Sequence, residues 1–97
     1  MEKFTILVTI KAKPGKENEV IEFLKSAQPL ALDEPDTVRW YAFQTGPSTF
    51  CIFDTFKTTD GRTAHLNGPI AAALMSNADR LLAEAPIIQL GDTLAEK

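Results

Sequence analysis

Thr37-Val38-Arg39-Trp40-Tyr41-Ala42-Phe43-Gln44-Thr45, then Gly46-Pro47-Ser48, then Thr49-Phe50-Cys51-Ile52-Phe53-Asp54-Thr55-Phe56: the reading of this stretch decides the fold. Two runs rich in aromatic and β-branched residues flank a Gly-Pro-Ser turn, which predicts a hairpin. A three-residue turn sets Thr45 opposite Thr49, Phe43 opposite Cys51 and Tyr41 opposite Phe53. The other face then gathers Val38, Trp40, Ala42, Gln44, Phe50, Ile52, Asp54 and Phe56. Both faces are largely apolar, so both must be covered. Two helices in a chain of 97 residues cover one face. The expected cover for the other is a second copy of the chain, so a homodimer is expected.

Upstream, Phe4 to Ala12 alternates with period two: Phe4, Ile6, Val8 and Ile10 on one side, Thr5, Leu7, Thr9 and Lys11 on the other. That predicts a strand. Lys13-Pro14-Gly15-Lys16 breaks it. From there Val20, Phe23, Leu24 and Ala27 form a helical stripe. Pro29 is expected to kink or end this helix, with Leu30 to Leu32 as one more turn. Asp33-Glu34-Pro35-Asp36 reads as a turn.

Downstream, Asp60 is the expected cap of a short helix through Ala64 and Leu66. Asn67-Gly68 interrupts it, and Pro69 suits the first turn of the next helix. Ile70, Ala73, Leu74, Ala78, Leu81 and Leu82 give that helix its stripe, and Ala85-Pro86 stops it. Ile87 to Leu94 reads as a fourth strand. The order β-α-β-β-α-β predicts one α+β domain over residues 1–97: a ferredoxin-like antiparallel sheet with its helices on one face.

The bulk properties narrow the function. A net charge of -3 with no run of Lys or Arg argues against nucleic acid as a partner. No apolar run approaches the ~20 residues of a membrane span, and no secretory signal pattern is seen. A single cysteine, Cys51, cannot form an internal disulfide, so a reducing, cytoplasmic compartment is expected. There is no Gly-rich phosphate loop and no metal-ligand cluster, so no cofactor and no metal are expected.

One segment concentrates the candidate chemistry: Arg62, His65 and Asn67, between the third strand and the helix that follows. His65 is the sole histidine. It can act as a general base or as a donor to an oxyanion near neutral pH. It can equally bond a backbone carbonyl at a helix end.

Three motifs carry a resemblance to a known family. The first strand runs into Lys13-Pro14-Gly15-Lys16-Glu17. Glu34-Pro35-Asp36-Thr37 turns into the second strand. Phe53-Asp54-Thr55-Phe56 leads to Ala64-His65-Leu66. In these, over nearly its whole length, the chain resembles the antibiotic biosynthesis monooxygenase domain. That resemblance implies a dimeric α+β barrel and a cofactor-independent oxidation of a hydroquinone or polyphenol by O₂. It implies His65 as the catalytic base or oxyanion partner. Trp40, Phe56 and Tyr41 would be apolar walls for a small aromatic substrate, with Asp54 and Asn67 as polar orienters. Asp54 stands where the family commonly has glutamate, and Phe56 where it commonly has tryptophan. Some family members cleave haem, but the position matching their iron-ligating histidine is Met75, which disfavours that activity here. The competing expectation is a non-catalytic dimer that binds a small hydrophobic molecule or a partner.

Overall fold

The hairpin forms in the expected register. The computed structural model describes all 97 residues, and in it β2 (Thr37–Gln44) pairs with β3 (Thr49–Phe56) so that Tyr41 faces Phe53 and Phe43 faces Cys51. β1 (Phe4–Lys11) lies on the other side of β3, and β4 (Ile87–Asp92) lies beyond β1. The sheet order is β2-β3-β1-β4, antiparallel throughout.

Three helices complete the chain: α1 (Glu17–Leu32), α2 (Thr59–Leu66) and α3 (Pro69–Leu81). The buried side chains of the sheet are Ile6, Val8, Ile10, Phe50, Ile52 and Phe56, and they form one cluster with Val20 and Leu24 of α1 and with Leu74 and Leu81 of α3. The strand positions in that cluster are one of the two alternating sets, which identifies the helix-covered face. The opposite face has no cover within the chain: Tyr41 is 52% exposed and Phe43 43%. This is the α+β, ferredoxin-like architecture that the element order predicts.

Four local features depart from the sequence reading, each for a physical reason. First, Pro29 does not end α1, which runs on through the expected further turn to Leu32. The missing N–H costs one helical bond, but Ala27 and Ala31, on either side of Pro29, stay buried, and Asp33 N–H closes the end on the Pro29 carbonyl at 3.2 Å. Second, the cap of α2 is Thr58, whose hydroxyl accepts from Gly61 N–H at 3.0 Å, and Asp60 lies within the first turn. Third, β4 ends at Asp92, two residues short of Leu94.

Fourth, the pairing slips by one residue between Thr37 and Arg39. Arg39 stays opposite Thr55, but Thr37 takes the place opposite Phe56 that strict alternation gives to Val38. Val38 is thus the extra residue of a bulge. Thr37 faces the helix side, where its hydroxyl donates to Glu34 Oε1 at 2.9 Å.

Candidate functional site

A helix-facing position on β3 would ordinarily hold an apolar side chain. At Asp54 it holds a carboxylate that is 1% exposed. A buried charge needs a counter-charge, and α2 supplies one. His65 is 8% exposed, and its Nε2 lies 2.9 Å from Asp54 Oδ2. The two form an ion pair, and Asp54 Oδ1 has no hydrogen-bond partner. The other ring nitrogen, Nδ1, is bonded at 2.6 Å to Glu34 Oε1. His65 is therefore clamped between two carboxylates. The ring of Phe56, which is fully buried, lies 5.5 Å from the imidazole, centroid to centroid.

Two glycines let the turn before β2 close onto α2. A Cβ at Gly61 would come within 3.0 Å of Asp36 Cβ. A Cβ at Gly68 would lie 3.2 Å from Glu34 Oε2 and from the carbonyl oxygens of Ala64 and His65. Because both ends of α2 lack a side chain where the turn passes, Glu34 can reach the imidazole.

The electrostatics follow from this packing. For His65, burial works to lower the proton affinity. Asp54 first, then Glu34, outweigh burial and raise the pKa above its ordinary 6.5. For Asp54, burial pushes the pKa above its ordinary 3.8, His65 opposes the shift, and the charge of Glu34 adds to it. His65 thus holds its proton to higher pH than a free imidazole. Its two carboxylates sit at opposite nitrogens, so the three side chains do not converge on a point where an ion could bind.

The sequence-derived candidates divide between two faces. His65, Asp54, Phe56 and Trp40 share the helix side, and Trp40 pairs across the ladder with Asp54. Trp40 Nε1 is buried without a hydrogen-bond partner. Tyr41 stands on the uncovered face opposite Phe53, and Asn67 is the exposed C-terminal cap of α2. Glu34 is the residue that sequence reasoning missed: it read only as part of a turn. No sequence signal pointed to it: Asp54 calls for a cation and so for His65, but Glu34 joins only through a contact 31 residues away.

The space beside this cluster is a cleft of about 530 Å³ between the end of α1 and β2. Gln28, Ala31, Leu32, Glu34, Val38 and Trp40 are among its walls, with Tyr41 at its edge. A second hollow of about 380 Å³ continues along β2 and shares Gln28, Trp40 and Tyr41 with the first. Neither is lined by His65 or Asp54. Glu34 is the member of the cluster that reaches open space.

No helix is long and apolar enough to cross a membrane. No protein-family model and no curated protein matches the sequence. Among solved structures, the NE2512 protein of unknown function from Nitrosomonas europaea is 50% identical. It aligns over 98% of this chain and 92% of its own, with a TM-score of 0.95. PA3566 from Pseudomonas aeruginosa is 18% identical, over 98% of this chain and 97% of its own, with a TM-score of 0.84. An antibiotic biosynthesis monooxygenase is 13% identical, over 95% of this chain and 99% of its own, with a TM-score of 0.82. At half identity over almost its full length the chain belongs to the family of the Nitrosomonas NE2512 protein, and its fold is that of the antibiotic biosynthesis monooxygenases.

Proposed function

We propose that this protein is a cofactor-independent monooxygenase that oxidises a hydroquinone or polyphenol with O₂, and that it works as a homodimer in the cytoplasm. The observation that carries the reading is the buried Glu34–His65–Asp54 array, which meets an aromatic-walled cleft at its Glu34 end. Such chemistry needs a quinol anion, because the electron-rich anion is what O₂ attacks. An O–H proton leaves to a carboxylate. The anion passes one electron to O₂, and the two radicals join as a hydroperoxide. Loss of water then gives the hydroxyquinone. Quinol plus O₂ becomes hydroxyquinone plus water, with no external reductant. His65, whose proton is held by its two carboxylates, lies behind Glu34 and acts on the anion through that carboxylate. The fold shared with an antibiotic biosynthesis monooxygenase supports the same reaction class.

The dimer half of the reading is supported by the apolar, uncovered sheet face around Tyr41, Phe43 and Phe53. The partner copy would bury it.

A second reading is favoured by one specific observation: both nitrogens of His65 are occupied by carboxylates of the same chain. On that reading the array is a clasp joining the turn before β2, β3 and α2, and the protein is a non-catalytic dimer that binds a small hydrophobic molecule. Oxygen uptake against reduced naphthoquinols and polyphenols, corrected for autoxidation, separates the two. Uptake by the wild type that falls in the folded variant His65→Gln supports the oxygenase. No uptake across the panel removes the oxygenase from first place and leaves the binding module.

A further inference from the structure

The smaller hollow along β2 differs in charge from its neighbour. The larger cleft has both Glu34 and Arg39 in its walls. The hollow of about 380 Å³ has one charged wall residue, Lys25, and no carboxylate. Lys25 takes part in none of the chain's ion pairs. It stands on the exposed side of α1, while Leu24 and Phe50, both buried, close the hollow on its inner side. Gln28 and Gln44 add two amides to the wall. Trp40, shared with the larger cleft, carries a ring N–H that is buried without an acceptor. The wall thus combines an apolar floor, several donors and an unpaired positive charge, with no acid to balance it.

We propose that this hollow takes an amphipathic carboxylate, with its apolar body against Ile21, Leu24 and Phe50 and its carboxylate at Lys25. The apolar floor gives affinity without selectivity, because any hydrocarbon of suitable size gains by leaving water. The head group then decides. A carboxylate meets an unpaired ammonium, and such charge-assisted bonds are the stronger ones. A cationic head meets a like charge and finds no acid to receive it. A neutral alcohol gains from the floor alone. The volume lies at the lower end of the range for small-molecule sites and suits a chain of about eight carbons. This rests on the ligand site of the second reading above, and not on turnover.

Trp40 is the single tryptophan and lines the hollow, so its fluorescence reports occupancy. The probes are octanoate, 1-octanol and octylamine, which share one chain, differ in head group and are transparent where tryptophan absorbs. They are titrated into the full-length protein at neutral pH. Lys25 is exposed, so water screens part of its attraction, and a preference of roughly three- to tenfold for octanoate over octanol is expected, with octylamine weakest. Lys25→Met should remove that preference and leave the affinity for octanol unchanged. Lys25→Arg, which keeps the charge, should retain most of it. Equal affinity for octanoate and octanol in the wild type overturns the proposal while keeping a hydrophobic ligand site. An octanoate preference that survives Lys25→Met also overturns it, because the head group then sits elsewhere. No response to any of the three probes removes the ligand site of the second reading together with the proposal. Oxygen uptake tests turnover alone and bears on none of these outcomes.

Discussion

Replacing His65 with leucine tests whether Asp54 is a buried charge that depends on one partner. The substitution supplies an apolar, helix-compatible side chain of similar bulk. It leaves Asp54, 1% exposed, with no cation. Breaking a buried pair from one side costs about 3–5 kcal/mol. Asp54 has an escape, because it can take up a proton. Neutralising it at about pH 7 costs no more than the gap from its ordinary 3.8, about three units, or roughly 4 kcal/mol. That ceiling falls by about 1.4 kcal/mol for each unit of acidification, to below about 2 kcal/mol near pH 5. A domain of this size has a total stability of about 5–15 kcal/mol, so His65→Leu should be severely destabilised near neutrality and much less so in acid. Urea unfolding at the two pH values measures the difference, with Asp54→Asn and the double variant completing a cycle. The double variant should recover most of the loss seen near neutrality, because the stranded charge is gone. A loss of the same size at both pH values would refute the reasoning, since the penalty would then be one of packing and not of charge.

Three further expectations follow from the same geometry. Gly68→Ala forces a Cβ to 3.2 Å from two backbone carbonyl oxygens and from Glu34 Oε2; the carbonyls cannot step aside, so a loss of about 1–3 kcal/mol is expected, read as a lower Tm. His65 binds its proton more tightly folded than unfolded, so its share of stability is complete below 6.5 and is lost as pH rises through the raised folded value. Asp54, also raised, acts with the same sign; Glu17 (its own backbone amide and Ser48) and Glu19 (chiefly Arg80) are lowered, so their shares are lost as pH falls below the ordinary 4.5. Thermal melts across pH should therefore show stability declining on the alkaline side, and a flatter alkaline limb in His65→Gln. Finally, if the uncovered sheet face seats a second copy, sedimentation at micromolar concentration should give twice the 10.7 kDa chain mass, and Phe43→Asp should return it to the monomer; a wild-type mass of one chain removes the dimer.

Legibility in the sequence differed from residue to residue. The hairpin register could be read because Gly46-Pro47-Ser48 fixes the turn and alternation does the rest, and it set Asp54 on one face with Phe50, Ile52 and Phe56; which face the helices cover was not legible, because both are largely apolar. Period two is a property of the backbone, so it survives without knowledge of tertiary contacts. The bulge at Val38 does not announce itself, because Thr37-Val38-Arg39 has no glycine and no broken pattern. Pro29 misleads in the opposite direction: local propensity favours a stop, but the burial of Ala27 and Ala31 against α3 and Trp40 carries α1 onward. The choice between Thr58 and Asp60 as cap was open because both have a suitable oxygen, and the backbone at Thr58 (φ -132, ψ 156) decides it. Glu34 could not be paired with His65 from sequence. The two are 31 residues apart, and their meeting depends on two glycines whose role appears only when the turn is laid against α2.

The bulge has a second consequence, for self-association. β2 is an edge strand, and the uncovered face beside its outer rim carries Tyr41 and Phe43, both well exposed. A straight edge beside an apolar face is a template on which a foreign strand can add. The extra residue at Val38 bends the rim at its entry and shortens the flat length on offer. Removing Val38 would leave Thr37 opposite Phe56 and Arg39 opposite Thr55, so the inner ladder would close without a slip. What would change is the outer edge, which would lose its irregularity. A bulge at the entry to an edge strand is one of the devices that blunt such an edge.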